Sequence, residues 1–263
     1  MTAPDVLAAR DERLAPRSAV RRLMGRPELG ALVGAVAVFA FFSVVTSTFL
    51  TPGALGTVLY SASTIGIMAV PVALLMIGGE FDLSAGVLVT TAALTSSMVS
   101  YQFTAVTWVG VAVSLAVTLA IGLFNGWELS RTKLPSFIVT LGTFLMLTGA
   151  NLGVTQLVDG TVATKSIADM QGYRSCAWLF AGSFTVGGMN VKATVWWWLA
   201  LVLLASWILL RTRFGNWIFA VGGDADAARA VGVPVGRTKI ALYLGVAFCA
   251  WVLGQHLLFS FDT

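Results

Sequence analysis

The sequence has few charged residues and almost none of the side chains that bind metals. Only 11% of its 263 residues are charged, whereas hydrophobic residues make up 57% and the mean hydropathy is +0.87. A soluble domain carries roughly 25% charged residues, so this composition excludes an ordinary water-soluble protein. The single histidine, His256, and two distant cysteines, Cys176 and Cys249, predict neither a metal site nor a disulfide framework.

The apolar residues occur in runs long enough to cross a membrane. Such runs do not alternate with period two, and backbone groups in lipid must be paired internally, so they are typical of helices rather than of a β-barrel. The sequence therefore predicts an all-α, polytopic transmembrane bundle of about seven helices. The apolar segments are 29–50, 53–77, 83–101, 104–124, 135–156, 194–210 and 239–259.

Basic residues predict the orientation of the bundle, because they collect on the cytoplasmic side of membrane proteins. Residues 1–28 contain six arginines and are predicted to be a cytoplasmic tail, followed by a membrane domain at 29–263. Counting crossings places the basic loop 211–238 and the stretch from Arg131 to Lys133 in the cytoplasm. The segment 157–193 then falls outside as an extracytoplasmic loop. The six arginines are Arg10, Arg13, Arg17, Arg21, Arg22 and Arg26.

Loop 211–238 contains the signal for a short helix, DADAARAV. Asp224 can cap its first turn, and Asp226 suits the positive end of the helix dipole. Glycines before and after isolate this helix, and small apolar residues on one face could lie in a groove of another protein. An ordinary connecting loop is the alternative. The glycines are Gly222, Gly223 and Gly232, and the small apolar residues are Ala227, Ala228, Ala230 and Val231.

A second polar segment, GGEFDLSAG at 78–86 and here named the island, lies between two apolar runs. It contains the only acidic residues between Glu28 and Glu128, namely Glu80 and Asp82. Acids at membrane depth are costly and usually functional, and irregular backbone is tolerated there where it lines a cavity. Asp82 or Ser84 could cap the next helix, so Glu80, Asp82 and Ser84 are candidates for a solute pathway. The alternative is a tight turn with two solvated acids.

Three stretches resemble the permease subunits of ribose-, xylose- and galactose-type ABC importers. GGEFDLSAG looks like their Gly-Gly-(x)-Asp-Leu-Ser-x-Gly signature. Residues 125–155, NGWELSRTKLPSFIVTLGTFLMLTGANLGVT, are similar to their Asn-Gly segment and its Lys-x-Pro-x-Phe-Ile-x-Thr-Leu-Gly-Thr run. Residues 211–243 are similar to their Thr-x-Phe-Gly, Gly-Gly, Ala-Ala-Arg and Gly-Ile loop. The stretches keep the family's order and span about 75 to 245.

The resemblance implies a multi-pass permease of a bacterial inner membrane that imports a simple sugar or a related small polar solute. It also implies that loop 211–238 holds a coupling helix that docks in a groove of an ATPase subunit. The implied partners are that ATPase, an extracytoplasmic solute-binding protein, a second permease copy and the lipid bilayer, with no nucleic acid, catalytic residue, metal or cofactor. The implied docking residues are Gly222, Gly223, Asp224, Ala227, Ala228 and Gly232.

Two departures from the family pattern accompany the resemblance. Glu80 and Phe81 stand where many members have one apolar residue before the aspartate. The chain ends at Thr263, directly after its seventh apolar segment, whereas members continue through about three further helices, so we expect a permease that is incomplete at its C-terminus.

Two other function classes remain as alternatives. A secondary transporter would use intramembrane acids for ion coupling, but it would have no ATPase to dock. An embedded enzyme would need a catalytic constellation such as H-E-x-x-H or G-x-S-x-G, which the sequence lacks. Residues 232–238, GVPVGRT, depart from a phosphate-binding loop in glycine spacing and in having Arg for Lys, so they predict no ATP binding.

Overall fold

The computed structural model describes residues 27–132 and 134–261, whose regular secondary structure consists of helices and one two-stranded hairpin. The predicted tail arginines and Lys133 lie outside the described residues. The α-helices are α1 Pro27–Val45, α2 Pro52–Ile77, α3 Ala85–Met98, α4 Thr107–Arg131, α5 Ser136–Asp159, α6 Tyr173–Ala181, α7 Ala193–Arg211, α8 Arg213–Gly223, α9 Ala225–Ala230 and α10 Val235–Phe261. The strands are β1 Ser183–Val186 and β2 Met189–Lys192.

Each of the seven predicted apolar segments contains a helix, which confirms the helical bundle. Among the described residues, α2, α4, α5, α7 and α10 are long and apolar enough to cross a membrane. Helix α1 is apolar but shorter, and α3 continues directly into six residues of π-helical backbone, Val99–Thr104. Helix α4 extends to Arg131 rather than stopping at residue 124, because helical hydrogen bonding continues after the apolar run ends.

Among the described residues, 27–54 belong to one compact unit and those from Leu55 onward to a second. In the first unit, α1 presents exposed apolar side chains such as Val36 and Phe41, as expected of a helix in contact with lipid. The Phe39 ring packs edge-on against the Phe49 ring of the following turn, with centroids 5.4 Å apart. This contact fixes how the chain leaves α1.

The unit from Leu55 onward is built around α10. In the most apolar 18-residue stretch of α10, 67% of residues are buried, compared with 17% in the corresponding stretches of α5 and α7. Helix α4 lies directly against it through Gly122 and Gly126. A Cβ added at Gly122 would lie 2.6 Å from the Ala247 Cβ, and one added at Gly126 would lie 2.8 Å from the Ile240 Cα. Glycines four residues apart allow this close approach between membrane helices.

The segment predicted only as loop 157–193 contains helix α6 and the antiparallel β1–β2 hairpin. Gly187 and Gly188 form the hairpin turn with φ of 57° and 80°, a conformation that favours glycine at both positions. His256 is buried beside α6, where its Nδ1–H donates to the Phe180 carbonyl over 2.9 Å. Its Nε2 lies 3.1 Å from the Tyr60 hydroxyl, so both ring nitrogens have hydrogen-bond partners within the protein.

The loops of this unit gather at two ends of the bundle. At one, the island end, segments 78–84 and 212–234 meet, and the Ser130 hydroxyl donates to the Gly236 carbonyl. At the other, the hairpin end, the Thr107 amide donates to the Gln171 carbonyl and the Gln102 amide donates to Asp159. Contacts therefore group the loops of this unit into two sets, one at each end of the bundle.

Candidate functional site

The island leads into helix α3, and Asp82 lies just before the start of that helix. Asp82 is buried, with 6% of the residue's surface exposed. Its Oδ1 accepts hydrogen bonds from the Ser84 backbone amide at 2.8 Å and from the Ser84 hydroxyl at 2.6 Å. Ser84 occupies the N-cap position, but its own side chain makes no capping bond. Of the two predicted capping residues, Asp82 therefore makes the bond, as an Asx turn. Burial raises the pKa of Asp82, and the bonds from Ser84 oppose this shift.

A line of buried hydrogen bonds continues from Asp82 into two other helices. The Ser84 hydroxyl accepts from the Asn125 Nδ2 of α4 at 3.0 Å, and the Asn125 Oδ1 accepts from the Thr143 hydroxyl of α5 at 2.6 Å. All four side chains are buried. Asn125 and Thr143 are not among the site residues inferred from the sequence. Their signal was available, because both lie in the second stretch that resembles the permeases.

The backbone of the island is also paired by side chains from other helices. The Phe81 amide donates to the Ser136 hydroxyl and the Leu83 amide to the Thr140 hydroxyl, each at 3.1 Å. The Phe81 carbonyl accepts from the Tyr243 hydroxyl at 3.1 Å. Irregular backbone inside a membrane protein requires such partners. The island thus interrupts the helical path between α2 and α3, and side chains of α5 and α10 pair its backbone groups.

Glu80, the second acid of the island, forms an ion pair with Lys239 in the first turns of α10. The two side chains are only 10% and 19% exposed, respectively. With Asp82 buried and hydrogen-bonded as well, a tight turn with two solvated acids does not fit this geometry. Both acids instead have partners from the protein.

The predicted short helix of loop 211–238 is present as α9. Asp224 caps it, with Oδ1 accepting from the amides of Asp226 and Ala227 at 2.9 Å each. Asp226 also pairs with Arg229 on the same helix, in an ion pair that is largely exposed to solvent. The sequence prediction of the cap is therefore confirmed.

The candidate docking residues on and around α9 do not share one face. The Ala228 side chain is 4% exposed and packs against Val221 and Val235 of the same chain. The exposed apolar face of α9 consists instead of Ala227, Ala230 and Val231, the last being 80% exposed. A larger side chain at Ala228 would disturb packing within this chain, whereas a larger side chain at Ala227 would project from the surface of α9.

Gly222, near the end of α8, joins this loop to the island. A Cβ added there would collide with the Ile77 carbonyl oxygen and would lie 3.2 Å from the Gly78 carbonyl carbon. Gly79 follows with φ of +82°, and a Cβ added to it would be 3.4 Å from the Gly222 Cα. A Cβ at Gly223 or Gly232 would meet nothing within 4 Å. Of the three candidate docking glycines, Gly222 is the one at which the backbone of the loop lies on the backbone of the island.

The spanning helices, the island between two of them and the capped helix on a loop are those of a multi-pass membrane protein. The chain belongs to the family described as "Branched-chain amino acid transport system / permease component", which matches residues 54–263. This membership confirms the resemblance to importer permeases. No solved structure is significantly similar to the chain.

Three of the similar proteins are named as sugar permeases. The chain is 32% identical over 218 residues to the ribose import permease protein RbsC of Escherichia coli (strain K12), covering 82% of this chain and 64% of that protein. It is 26% identical over 284 residues to the xylose transport system permease protein XylH of the same organism, covering 84% and 70%. It is 26% identical over 226 residues to the fructose import permease protein FrcC of Rhizobium meliloti, covering 84% and 61%. The chain thus spans less than two thirds of the length of the ribose permease.

Proposed function

We propose that this chain is the transmembrane subunit of an ATP-driven importer for a simple sugar or a related small polar solute. Two copies form the solute pathway, a separate ATPase binds on one side, and a solute-binding protein delivers the solute on the other. The observation that carries this proposal is helix α9, which is capped by Asp224, exposes an apolar face and sits beside a backbone contact with the island. A small apolar helix surface of this kind is suited to a groove in a partner protein.

The charge distribution supports an island end in the cytoplasm. In the described part of the chain, basic residues are twice as numerous at the island end as at the hairpin end, and basic residues favour the cytoplasmic side. Helix α9 then faces the ATPase, and the hairpin faces the solute-binding protein. The basic residues of the island end are Arg131, Arg211, Arg213, Arg229, Arg237 and Lys239, and those of the hairpin end are Lys165, Arg174 and Lys192.

The three pathway candidates act, in this proposal, beside the pathway. Asp82 and Ser84 are already engaged with each other and with Asn125, and Glu80 is engaged with Lys239. Their role is therefore to brace the inner ends of the helices that surround the solute. A secondary transporter, the alternative, would need one of these acids to exchange its partner for an ion during transport.

The experiment is co-purification with a candidate ABC ATPase subunit from the same organism, followed by uptake in proteoliposomes that also contain a candidate solute-binding protein. Ala227→Trp adds volume to the exposed face of α9, and such overpacking costs about 1–3 kcal/mol. At 1.4 kcal/mol per factor of ten, retention of the ATPase should fall by roughly 5- to 100-fold. Ala163→Trp makes the same change at an exposed position of the hairpin end and should have no effect.

The solutes for the uptake assay follow from the names of the relatives and of the family: ribose, xylose, fructose and leucine. We expect ATP-dependent uptake of a sugar. Uptake that ignores ATP but collapses when the proton or sodium gradient is removed would establish the secondary transporter instead. ATP-driven uptake of leucine alone would retain the importer and reject the sugar.

A further inference from the structure

We propose that Glu80 and Lys239 are positioning residues for transport, because their ion pair links the ATPase-docking loop to the helices around the solute pathway. This inference rests on the function proposed above. The link has a second component, the backbone contact between Gly79 and Gly222. The ion pair does not follow from the family signature, in which many members have one apolar residue where Glu80 and Phe81 stand.

The two components hold the loop on both sides of helix α9. Gly222 precedes α9 by three residues and lies on the Ile77–Gly78 backbone. Lys239 follows α9, in the first turns of α10, and pairs with Glu80. A displacement of α9 by a docked partner therefore reaches the island from two directions, at neighbouring residues.

The island in turn is fastened to the helices that lead into the membrane. Asp82, two residues after Glu80, begins the line of hydrogen bonds through Ser84 and Asn125 to Thr143 of α5. Ser136 and Thr140, also on α5, bind the island amides. A shift of the island thus moves the start of α3 together with α5.

The ion pair is suited to transmitting a displacement because it resists opening. Both side chains are mostly buried, and separating them would leave a charge with neither its partner nor water. The pair between Asp226 and Arg229 on α9 differs, since its side chains are 92% and 64% exposed and water can replace either partner. Of these two pairs, the one between Glu80 and Lys239 is therefore the stiff connection.

The test measures solute uptake per ATP hydrolysed by the permease–ATPase complex in proteoliposomes. Glu80→Gln and Lys239→Met each remove one charge and keep much of the side-chain volume. We expect each to lower uptake per ATP by about 5- to 10-fold, the size of a modest coupling between sites. ATPase retention should be unchanged, because α9 is intact. Lys239→Arg keeps the charge and should retain coupling, and Arg131→Met, at an exposed position of the island end, controls for the loss of a cation.

A second measurement covers the case in which the neutral variants do not reach the membrane. Glu80→Cys combined with Lys239→Cys, joined by a short bifunctional thiol reagent, replaces the ion pair by a covalent link. We expect ATP-driven uptake in the linked form and weak uptake before linking. A linked form that is inactive would overturn the inference, since it would mean that the pair must open.

Three other outcomes would overturn the role of the ion pair or the proposed function. Unchanged uptake per ATP in both Glu80→Gln and Lys239→Met would overturn the link while leaving the proposed importer in place. An equal loss in Lys239→Arg and Lys239→Met would show that the charge is not what matters, and would overturn it too. Absence of ATP-driven uptake in the wild-type complex would reject the proposed function itself, and this link with it.

Discussion

The contact at Gly222 makes a sharp prediction, because its neighbour Gly223 provides a matched control. Both residues lie in the last turn of α8, so replacing either by alanine changes local helix propensity in the same direction. Only the Cβ of Gly222→Ala meets the rest of the protein. A Cβ at Gly223 meets nothing within 4 Å. The difference between the two variants therefore isolates the effect of the close approach.

The size of the effect follows from which atoms are in the way. The new Cβ of Gly222→Ala would overlap the Ile77 carbonyl oxygen and lie 2.9 Å from its carbon. These are backbone atoms, which cannot rotate away as a side chain can, so α8 and the island must separate. Overpacking of this kind costs about 1–3 kcal/mol. Alanine in a helix gains up to about 1 kcal/mol over glycine, so Gly223→Ala should be neutral or slightly stabilising.

Thermal unfolding of the detergent-purified chain is the assay. For a chain of this size, each 1 kcal/mol corresponds to about 2–4 °C. Gly222→Ala should therefore unfold at least roughly 2–4 °C below Gly223→Ala, with Gly223→Ala at or above wild type. Equal unfolding temperatures for the two variants would refute the close approach of loop and island.

Two further predictions concern the buried contacts of the same unit. Asp82→Asn keeps an oxygen that can accept from Ser84 and should unfold near wild type, whereas Asp82→Ala leaves these buried donors unpaired and should lose about 1–3 kcal/mol; equal stability of the two would contradict the bracing role. Gly126→Ala forces α4 away from Ile240 and should lose about 1–3 kcal/mol, while Gly245→Ala, with open space around it, should gain up to about 1 kcal/mol. Chemical denaturation in detergent measures both, and a stabilised Gly126→Ala would refute the glycine contact between α4 and α10.

Much of the fold could be predicted from the sequence because its signals are local. A run of about 20 apolar residues predicts a helix in lipid wherever it occurs. Helix α9 could also be predicted, since the cap at Asp224 depends on residues within one turn. The end of α4 was predicted too early, because an apolar run marks where lipid ends and not where helical hydrogen bonding ends.

The site was only partly predictable. Glu80 and Asp82 could be chosen because charges are rare between apolar runs, and Ser84 because it could cap the next helix. Asn125 and Thr143 were missed as site residues, since neither is charged and their partners are distant in sequence. The resemblance of residues 125–155 to the permeases indicated this stretch, but it did not indicate the hydrogen bonds that Asn125 and Thr143 make.

By itself, the sequence determined a helical membrane protein with a capped helix in a basic loop, since hydropathy and capping depend on neighbours along the chain. Only the tertiary structure decided that Ala228 faces inward, that Gly222 lies on the island and that Lys239 pairs with Glu80. These contacts join residues well over 100 positions apart or depend on how one short helix is rotated. Packing of α8, α9 and α10 against the island sets them, and no local pattern specifies that packing.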